Sequence, residues 1–288
     1  MMTAAGESVF DKIGNAYSEL TTAERKVADY IATHQQQTQF LSITELAVAC
    51  EVADATISRF CRRLGYQGYN AFKLAVATGQ KLHHNPANPF SGEIEADDGI
   101  ENISQKIYAA EVEAMRHTML LIRPSLIRRA ADMIDEAGQV FCMGQGGSLF
   151  LAQEAAHLFS TIGYRFYAIA DSHLQMLTAS TLRANDIVLF FSFSGSTSDL
   201  PEIIKTVHNR GGSVILVTRF DKSPGAKLAD LVLQCGANES PLQVGSVSAR
   251  IAQMYLLDVL FAEISRRHPM ACKNYRQLVA EALAQKHL

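Results

Sequence analysis

Two different spacings of hydrophobic residues divide the chain into parts of different kinds. Within the first 80 residues, apolar positions recur every three or four residues, as they do along one face of an α-helix. From Gln139 onward, short runs of consecutive apolar residues alternate with helical stretches. Such runs are typical of parallel strands that are buried on both faces. The pattern therefore predicts an all-α domain followed by an α/β domain.

A polar segment separates the two patterns. It reads GQKLHHNPANPFSGEIEADDG over residues 79–99, and its Pro, Gly, Asn and acidic residues favour a linker. Apolar periodicity then resumes and predicts helices over 100–122 and 125–136, which are available for a dimer interface or for closing over the next domain. The predicted domains are 1–80 and 100–288, joined by a linker at 81–99.

Capping signals in the first domain mark two short helices joined by a tight turn. Ser42 and Glu45 form an S-x-x-E capping box at the start of a helix predicted over 43–50. After the turn, a second helix is predicted over 54–64, with Gly65 at the position of a C-terminal cap. This arrangement is typical of a helix-turn-helix.

The second of these helices combines an apolar stripe with a basic face. Its apolar residues follow an i, i+3, i+4, i+7 spacing from Ile57 to Leu64, so the remaining side is predicted to face solvent. From Ala55 to Gly92 there is no Asp or Glu, whereas five basic residues occur there. Such a stripe either meets a phosphate backbone or is an ordinary solvated face. The side chains predicted to face solvent are Thr56, Ser58, Arg59, Arg62 and Arg63.

The position of each residue along this helix predicts its role on DNA. In a helix-turn-helix, the N-terminal part of the second helix enters the major groove, where Arg pairs with guanine and Thr contacts thymine methyl groups or phosphates. We therefore predict Thr56 and Arg59 near base edges, with Ser58 on the same face. Residues further along the chain are assigned to phosphates, namely Arg62, Arg63 and Lys73.

The first domain resembles the N-terminal domain of the RpiR family of bacterial transcription regulators. The resemblance covers about residues 8–80 and is carried, in this order, by LTTAERKVADYI, SITELAVACEVADATISRFCRRLGY and GYNAFKLAVA. It implies binding to double-stranded operator DNA. Ala53 departs from the family pattern, in which a Ser often caps the recognition helix, and we expect Asp54 to take over part of that role.

The second domain is predicted to be an α/β/α sandwich around a parallel sheet. On such sheets, ligands bind at the carboxyl ends of the strands, which directs attention to the loops after the first and third strands. The predicted strands are 140–143, 165–170, 187–193, 213–219 and 231–235, and the predicted helices are 149–161, 173–182, 198–209 and 248–267.

Both of those loops have the composition of an anion site. Each places small residues ahead of a helix, where free backbone N–H groups attract negative charge. The first loop, GQGGS, also has the look of a dinucleotide-binding G-x-G-x-x-G, with Asp171 after the next strand, but Leu149 replaces the third glycine. For the second loop, SFSGSTS, the alternative is an ordinary hydroxyl-capped turn. The candidate positions are Gly146, Gly147, Ser148, Ser192, Ser194, Gly195 and Thr197.

These loops resemble those of the SIS (sugar isomerase) domain, a phosphosugar-binding module with a flavodoxin-like parallel sheet. The resemblance runs from about residue 125 to 270, through GQGGS, DSHLQM, SFSGST and SPGAKLADLVL. It implies that Ser148, Ser192, Ser194 and Thr197 contact a sugar phosphate. The segment VGSVSARIAQ resembles the same region of RpiR-type regulators, which implies that Ser246, Ser248 and Arg250 lie near the ligand or the subunit interface.

Candidate acid–base residues keep an enzymatic alternative open. An aldose–ketose isomerase needs a positioned base, and Glu154, His157 and His173 are available, although the same residues equally suit the orientation of sugar hydroxyls. A DNA-reading domain is of no use to an isomerase. We therefore predict a non-enzymatic regulator without a cofactor, the alternatives being a sugar-phosphate isomerase and a phosphosugar-binding module that does not bind DNA.

Composition narrows the setting of this regulator. No run of 18 apolar residues is available to span a bilayer, and the N-terminus lacks the features of a signal peptide, which predicts a cytoplasmic protein without a membrane partner. The five cysteines are scattered and show no zinc-ligand spacing, so we expect reduced core thiols and no metal. We expect a homodimer or homotetramer that reads an inverted-repeat operator and responds to a sugar phosphate.

Overall fold

The computed structural model of the protein describes residues 8–79, 94, 97–237 and 247–284, which fall into two compact units. The first contains the helices up to residue 79, and the second begins near residue 103. Most of the predicted linker and Ser246 lie outside the described residues. Within the described part of the chain, no helix is both long enough and apolar enough to span a membrane.

Helices alone build the first unit. Three of them open on a capping box, in which Ser8, Thr21 and Ser42 each pair reciprocally with the residue three positions on. The core they enclose is centred on the aromatic rings of Phe60 and Phe72, which are fully buried and meet edge to face. The helices are α1 Val9–Ala16, α2 Thr22–Thr33, α3 Gln35–Thr38, α4 Ile43–Ala49, α5 Asp54–Arg63 and α6 Tyr69–Gly79, with a 3₁₀ turn at Tyr17–Glu19.

Helices α4 and α5 form the predicted helix-turn-helix. The chain turns between them through Glu51, whose φ is 54°, and leaves α5 through Gly65, whose φ is 86°. Helix α5 begins at Asp54 as expected, but no side chain caps it at Ala53. The carboxylate of Asp54 instead accepts a hydrogen bond from the hydroxyl of Thr44 in α4, at 3.0 Å.

The second unit is a five-stranded parallel sheet with helices on both faces. Its strand order is β2-β1-β3-β4-β5, so the first and third strands lie side by side. The strands are β1 Val140–Gly144, β2 Phe166–Ile169, β3 Ile187–Phe191, β4 Ser213–Thr218 and β5 Leu231–Gln234. The helices are α7 Ile100–Leu121, α8 Pro124–Glu136, α9 Gly147–Ser160, α10 Ser172–Thr181, α11 Leu200–Asn209, α12 Val247–Arg267 and α13 Pro269–Ala284.

Alternate residues of each strand enter different cores. On β3, Leu189 and Phe191 join one core with residues of α8, α9 and α12, whereas Val188 and Phe190 join another with residues of α10 and α11. A strand that is buried on both faces has no polar alternation, which is why these strands appear as continuous apolar runs. The predicted α/β/α sandwich and its parallel sheet are confirmed.

One helical prediction is wrong in a way that affects the site, and one helix was not predicted. Helix α11 begins at Leu200 rather than at residue 198, because Pro201 lacks an N–H and is best accommodated in the first turn. The loop before α11 is therefore longer than predicted. Helix α13 was not predicted, although Pro269 at its start is a standard first-turn residue.

Candidate functional site

The loops after β1 and β3 meet at the switch point of the sheet. Gly144 and Phe191 are paired residues at the ends of these adjacent strands. A Cβ atom at Gly144 would come within 2.7 Å of the Ser148 carbonyl oxygen and 3.1 Å of that of Phe191. Only glycine permits this close approach. The chain continues from β1 to β2 on one side and then to β3 on the other, so the strand order reverses here. Open α/β sheets bind ligands in the crevice beside such a reversal.

The loop from Ser192 to Asp199, here the β3 loop, brings its hydroxyl groups together. The Oγ of Ser192, which is only 3% exposed, lies 2.9 Å from the Oγ1 of Thr197. The exposed Ser194 accepts a hydrogen bond from the backbone N–H of Ser196 at 3.2 Å. No side chain caps the following helix α11. Leu200 donates its N–H to the Thr197 carbonyl at 3.2 Å and Pro201 has no N–H, so the first two residues of the helix offer no free donor to an anion.

Gly195 lies at the tightest point of the β3 loop. Its φ is +60°, and a Cβ atom there would lie 2.0 Å from the Oγ of Ser223 and 2.9 Å from the Oγ1 of Thr218. Its carbonyl accepts a hydrogen bond from the N–H of Gly225 at 2.9 Å. The segment after β4 therefore packs against the β3 loop. Ser223, the first residue of SPGAKLADLVL, was not among the predicted site residues.

The loop from Gln145 to Ser148, here the β1 loop, is rich in glycine. Gly146, with φ +56°, precedes the start of α9 at Gly147, and no side chain caps this helix. The side-chain amide of Gln145 donates a hydrogen bond to the carboxylate of Asp199 at 3.0 Å. This contact, here the loop bridge, joins the β1 and β3 loops. Neither of its residues was predicted, because side-chain contacts across the crevice leave no periodic signal.

Glu154 is half-buried on α9, and its negative charge affects the pKa of a carboxyl group on α12. The pKa of the Asp258 carboxyl is raised, chiefly by burial and further by the negative charge of Glu154. Ser248 is half-buried in the first turn of α12, and Arg250, two residues on, has a buried Nε without a hydrogen-bond partner among the described atoms. Within the described residues, no hydrogen bond links Glu154 or Ser248 to either loop.

Neither candidate histidine is paired with Glu154 among the described residues, although His157 lies one turn from it on α9. His157 and His173 are exposed on α9 and α10. No hydrogen bond or ion pair among the described residues joins either of them to Glu154. The structure therefore places these three side chains on the same domain without assembling them into an acid–base pair.

On α5, Arg59 and Arg62 are exposed and Ser58 is half-buried, as is Lys73 on α6. The expectation that Thr56 faces solvent is wrong, because its side chain is only 7% exposed. Thr56 lies about 100° around the helix from Ile57, at the edge of the apolar stripe. Its hydroxyl oxygen accepts a hydrogen bond from the guanidinium of Arg59 at 3.3 Å.

Comparison with known proteins gives this arrangement a family. Residues 8–81 match the model of the helix-turn-helix domain of the rpiR family, and residues 133–263 match that of the SIS domain. The HTH-type transcriptional regulator HexR of Pseudomonas aeruginosa is 31% identical over 277 residues, which cover 96% of each chain. The chain belongs to the RpiR family of transcriptional regulators.

Other proteins are similar to this chain over most of their own length. An HTH-type transcriptional regulator of Caldanaerobacter subterraneus is 29% identical over 94% of this chain and 95% of its own. The structure of Vibrio vulnificus NanR complexed with ManNAc-6P superposes with a TM-score of 0.85 at 25% identity, covering 98% of this chain and all of NanR. The sugar isomerase domain of an RpiR factor from Sphaerobacter thermophilus, 23% identical, shares the fold over 62% of this chain and 98% of its own, with a TM-score of 0.57.

In this RpiR-family chain, Arg63 is engaged within its own domain. Its Nε donates to the Glu24 carboxylate at 3.2 Å, and its Nη1 donates to the carbonyl of Glu19 at 3.3 Å. Burial acts to raise the pKa of Glu24, but hydrogen bonds from Thr21 and the charge of Arg63 outweigh it, so that pKa is lowered. Arg63 therefore balances a buried carboxylate while its side chain stays 42% exposed, and its phosphate-contact role stays a prediction.

Proposed function

We propose that this chain is a DNA-binding transcription regulator whose operator affinity is changed by a sugar phosphate bound at the switch point of the sheet. The observation that carries this proposal is the presence, in one chain, of a helix-turn-helix whose second helix exposes arginines and of a cluster of hydroxyls at the switch point of a parallel sheet. Its family membership and its similarity to NanR, a protein that binds ManNAc-6P, support the same conclusion.

The proposed ligand site uses both loops of the crevice. The phosphate is held by the loop hydroxyls and by backbone N–H groups of the loops that precede α9 and α11, an arrangement that binds anions without a metal. Half-buried polar groups on α9 and α12 suit the sugar hydroxyls. The proposed phosphate contacts are Gly146, Gly147, Ser148, Ser192, Ser194, Gly195 and Thr197, and the proposed sugar contacts are Glu154 and Ser248.

The proposed DNA surface is smaller than the sequence suggested. Arg59 lies in the first half of α5 and is exposed, so we assign it to base edges, with Ser58 beside it. Arg62, Arg63 and Lys73 are assigned to phosphates. Because its proposed target is bacterial DNA, the proposed location of the protein is the cytoplasm. The proposed domains are a helix-turn-helix domain at 1–80, a linker at 81–99 and a SIS domain at 100–288.

The proposal includes no catalytic step, and the rival is an isomerase. The observation that favours an isomerase is Glu154. It is half-buried, whereas the other two candidate acid–base residues, His157 and His173, are exposed. Purified protein incubated with a panel of hexose and N-acetylhexosamine 6-phosphates is expected to bind at least one of them without turnover, and to enrich one sequence from a random duplex pool. Turnover that is lost in Glu154→Ala would favour the isomerase, and ligand binding without sequence enrichment would favour a binding module.

A two-fold assembly is expected because one recognition helix reads only half of an inverted repeat. Helix α7 offers a surface for it, here the seam, formed by Tyr108, Val112, Met115 and Met119 at the 4-3-4 spacing of paired helices. Tyr108, Val112 and Met119 are 71%, 40% and 54% exposed, whereas Ala114, on another side of α7, is buried in the domain core. We propose that the seam packs against a second copy of this chain.

Tyr108→Lys is expected to dissociate this dimer, because two lysines would then be buried against each other or against apolar side chains. Sedimentation velocity should show a monomer, and operator affinity should fall at least about tenfold as the second half-site is lost. Asn102→Lys adds the same charge to α7 away from the seam and should leave the dimer intact. A dimeric Tyr108→Lys variant would exclude the seam as the interface.

A further inference from the structure

The loop bridge spans the crevice in which the proposed ligand lies. Its donor is the Gln145 side-chain amide in the β1 loop and its acceptor is the Asp199 carboxylate at the end of the β3 loop, 3.0 Å away. The second oxygen of Asp199 accepts from the hydroxyl of Ser198 at 2.9 Å. No lysine, arginine or histidine among the described residues forms an ion pair with Asp199. Its described side-chain partners are therefore two neutral groups, one of them on the opposite loop.

The two ends of the bridge lie in different backbone settings. Gln145 stands between Gly144 and Gly146, with Gly147 following, and its carbonyl accepts the N–H of Ser148 at 3.1 Å. Asp199 immediately precedes α11, and its carbonyl accepts the N–H of Ile203 at 3.0 Å in the first turn of that helix. The bridge therefore joins a glycine-rich loop, whose glycines have many conformations open to them, to the start of a helix.

Holding the β1 and β3 loops together affects ligand binding because the two loops carry different parts of the proposed site. Ser148 and the start of α9 belong to one loop, and the Ser192–Thr197 hydroxyl pair belongs to the other. A ligand that contacts both must otherwise order the glycine-rich loop when it binds, which costs conformational entropy. Holding the loops in register beforehand removes part of that cost from the binding step.

We propose that Gln145 and Asp199 are positioning residues, whose mutual hydrogen bond sets the separation of the β1 and β3 loops for a sugar phosphate. This inference rests on the proposed function, because it concerns the same ligand site. Neither side chain is required to touch the ligand. Their effect on affinity depends on each other, and that dependence is what an experiment can detect.

Four variants of the full-length chain isolate the bridge. Gln145→Ala removes the donor without adding charge. Gln145→Glu sets two carboxylates against each other. Asp199→Asn keeps an acceptor for Gln145, while its amide can donate to Ser198. The double variant Gln145→Glu with Asp199→Asn rebuilds the bridge with donor and acceptor exchanged, and it has the net charge of the wild type.

Calorimetric titration with the tightest-binding hexose or N-acetylhexosamine 6-phosphate of the panel should separate these variants. We expect Gln145→Ala and Gln145→Glu to bind about tenfold more weakly, and Asp199→Asn and the double variant to stay within about threefold of wild type, the pattern of two coupled residues. Thermal melting should confirm that all four variants are folded.

Two results would overturn the proposal. Wild-type affinity in Gln145→Ala would show that the bridge does not matter, and a double variant as weak as Gln145→Glu would show that Gln145 acts alone, for instance by touching the ligand itself. A wild-type chain that binds no sugar phosphate of the panel would instead contradict the proposed function, and with it this inference. If Gln145 acted alone, the double variant would bind the sugar phosphate as weakly as Gln145→Glu. Recovery of affinity in the double variant therefore requires that Gln145 acts through Asp199.

Discussion

Gly195→Ala should abolish sugar-phosphate binding, with a loss of affinity of at least about 100-fold, because the β3 loop cannot keep its shape. The new Cβ would lie 2.0 Å from the Oγ and 2.6 Å from the Cβ of Ser223. Ser223 cannot retreat easily, since it is 1% exposed and its Oγ accepts the N–H of Ala226 at 3.2 Å. The φ of +60° adds a strain of about 1 kcal/mol for a residue with a side chain.

A second glycine in the same crevice provides the matched control. Gly146 also has a positive φ, +56°, but no atom lies within 4 Å of the position of its Cβ. Gly146→Ala should therefore lose affinity only severalfold, the cost of backbone strain without a clash. Titration calorimetry of both variants measures the difference, and operator binding without ligand reports that the fold is intact. Near-wild-type binding by Gly195→Ala would remove the β3 loop from the site.

Arg59→Ala is expected to lose discrimination between operator and unrelated DNA. Arg59 is exposed near the start of α5, where a side chain reaches base edges, and a bidentate contact with guanine contributes about 1–3 kcal/mol of discrimination. The ratio of operator to scrambled-duplex affinity should fall by about 5- to 150-fold on that basis. Sugar-phosphate affinity in the absence of DNA should remain that of the wild type.

Arg62→Ala is the control, because a phosphate contact carries no sequence information. It should weaken binding to both duplexes alike and reduce the salt dependence by about one released counterion. Fluorescence anisotropy at several salt concentrations separates the two behaviours. If Arg59→Ala kept the wild-type ratio of affinities, the reading of bases would have to be assigned to another residue of the helical domain.

The fold and the site loops were predictable because each leaves a periodic or local signal. Strands buried on both faces appear as apolar runs, and parallel strands place their carboxyl ends at one edge of the sheet. The pairing of Gly144 with Phe191 then brings together the loops that GQGGS and SFSGSTS had marked. The capping boxes at Thr21 and Ser42 likewise depend only on residues three positions apart.

Features that depend on contacts between distant segments were not predictable in this way. Helical periodicity puts Thr56 at the edge of a stripe, and only tertiary packing decides that it is buried. Arg63 had the spacing of a DNA-facing residue, but Glu24, 39 positions earlier, engages its guanidinium. The loop bridge joins residues 54 positions apart, and one hydrogen bond between single side chains has no sequence pattern.

Operator affinity measured with and without saturating sugar phosphate tests most directly whether binding at the two sites of this chain is coupled. We predict that the ligand changes the operator dissociation constant of the wild type by about 5- to 150-fold, the range of typical allosteric coupling. Thr197→Ala, which removes the hydroxyl 2.9 Å from that of Ser192, should keep the ligand-free affinity and lose the response. A wild-type chain that binds both partners with an operator affinity unchanged by ligand would contradict the account.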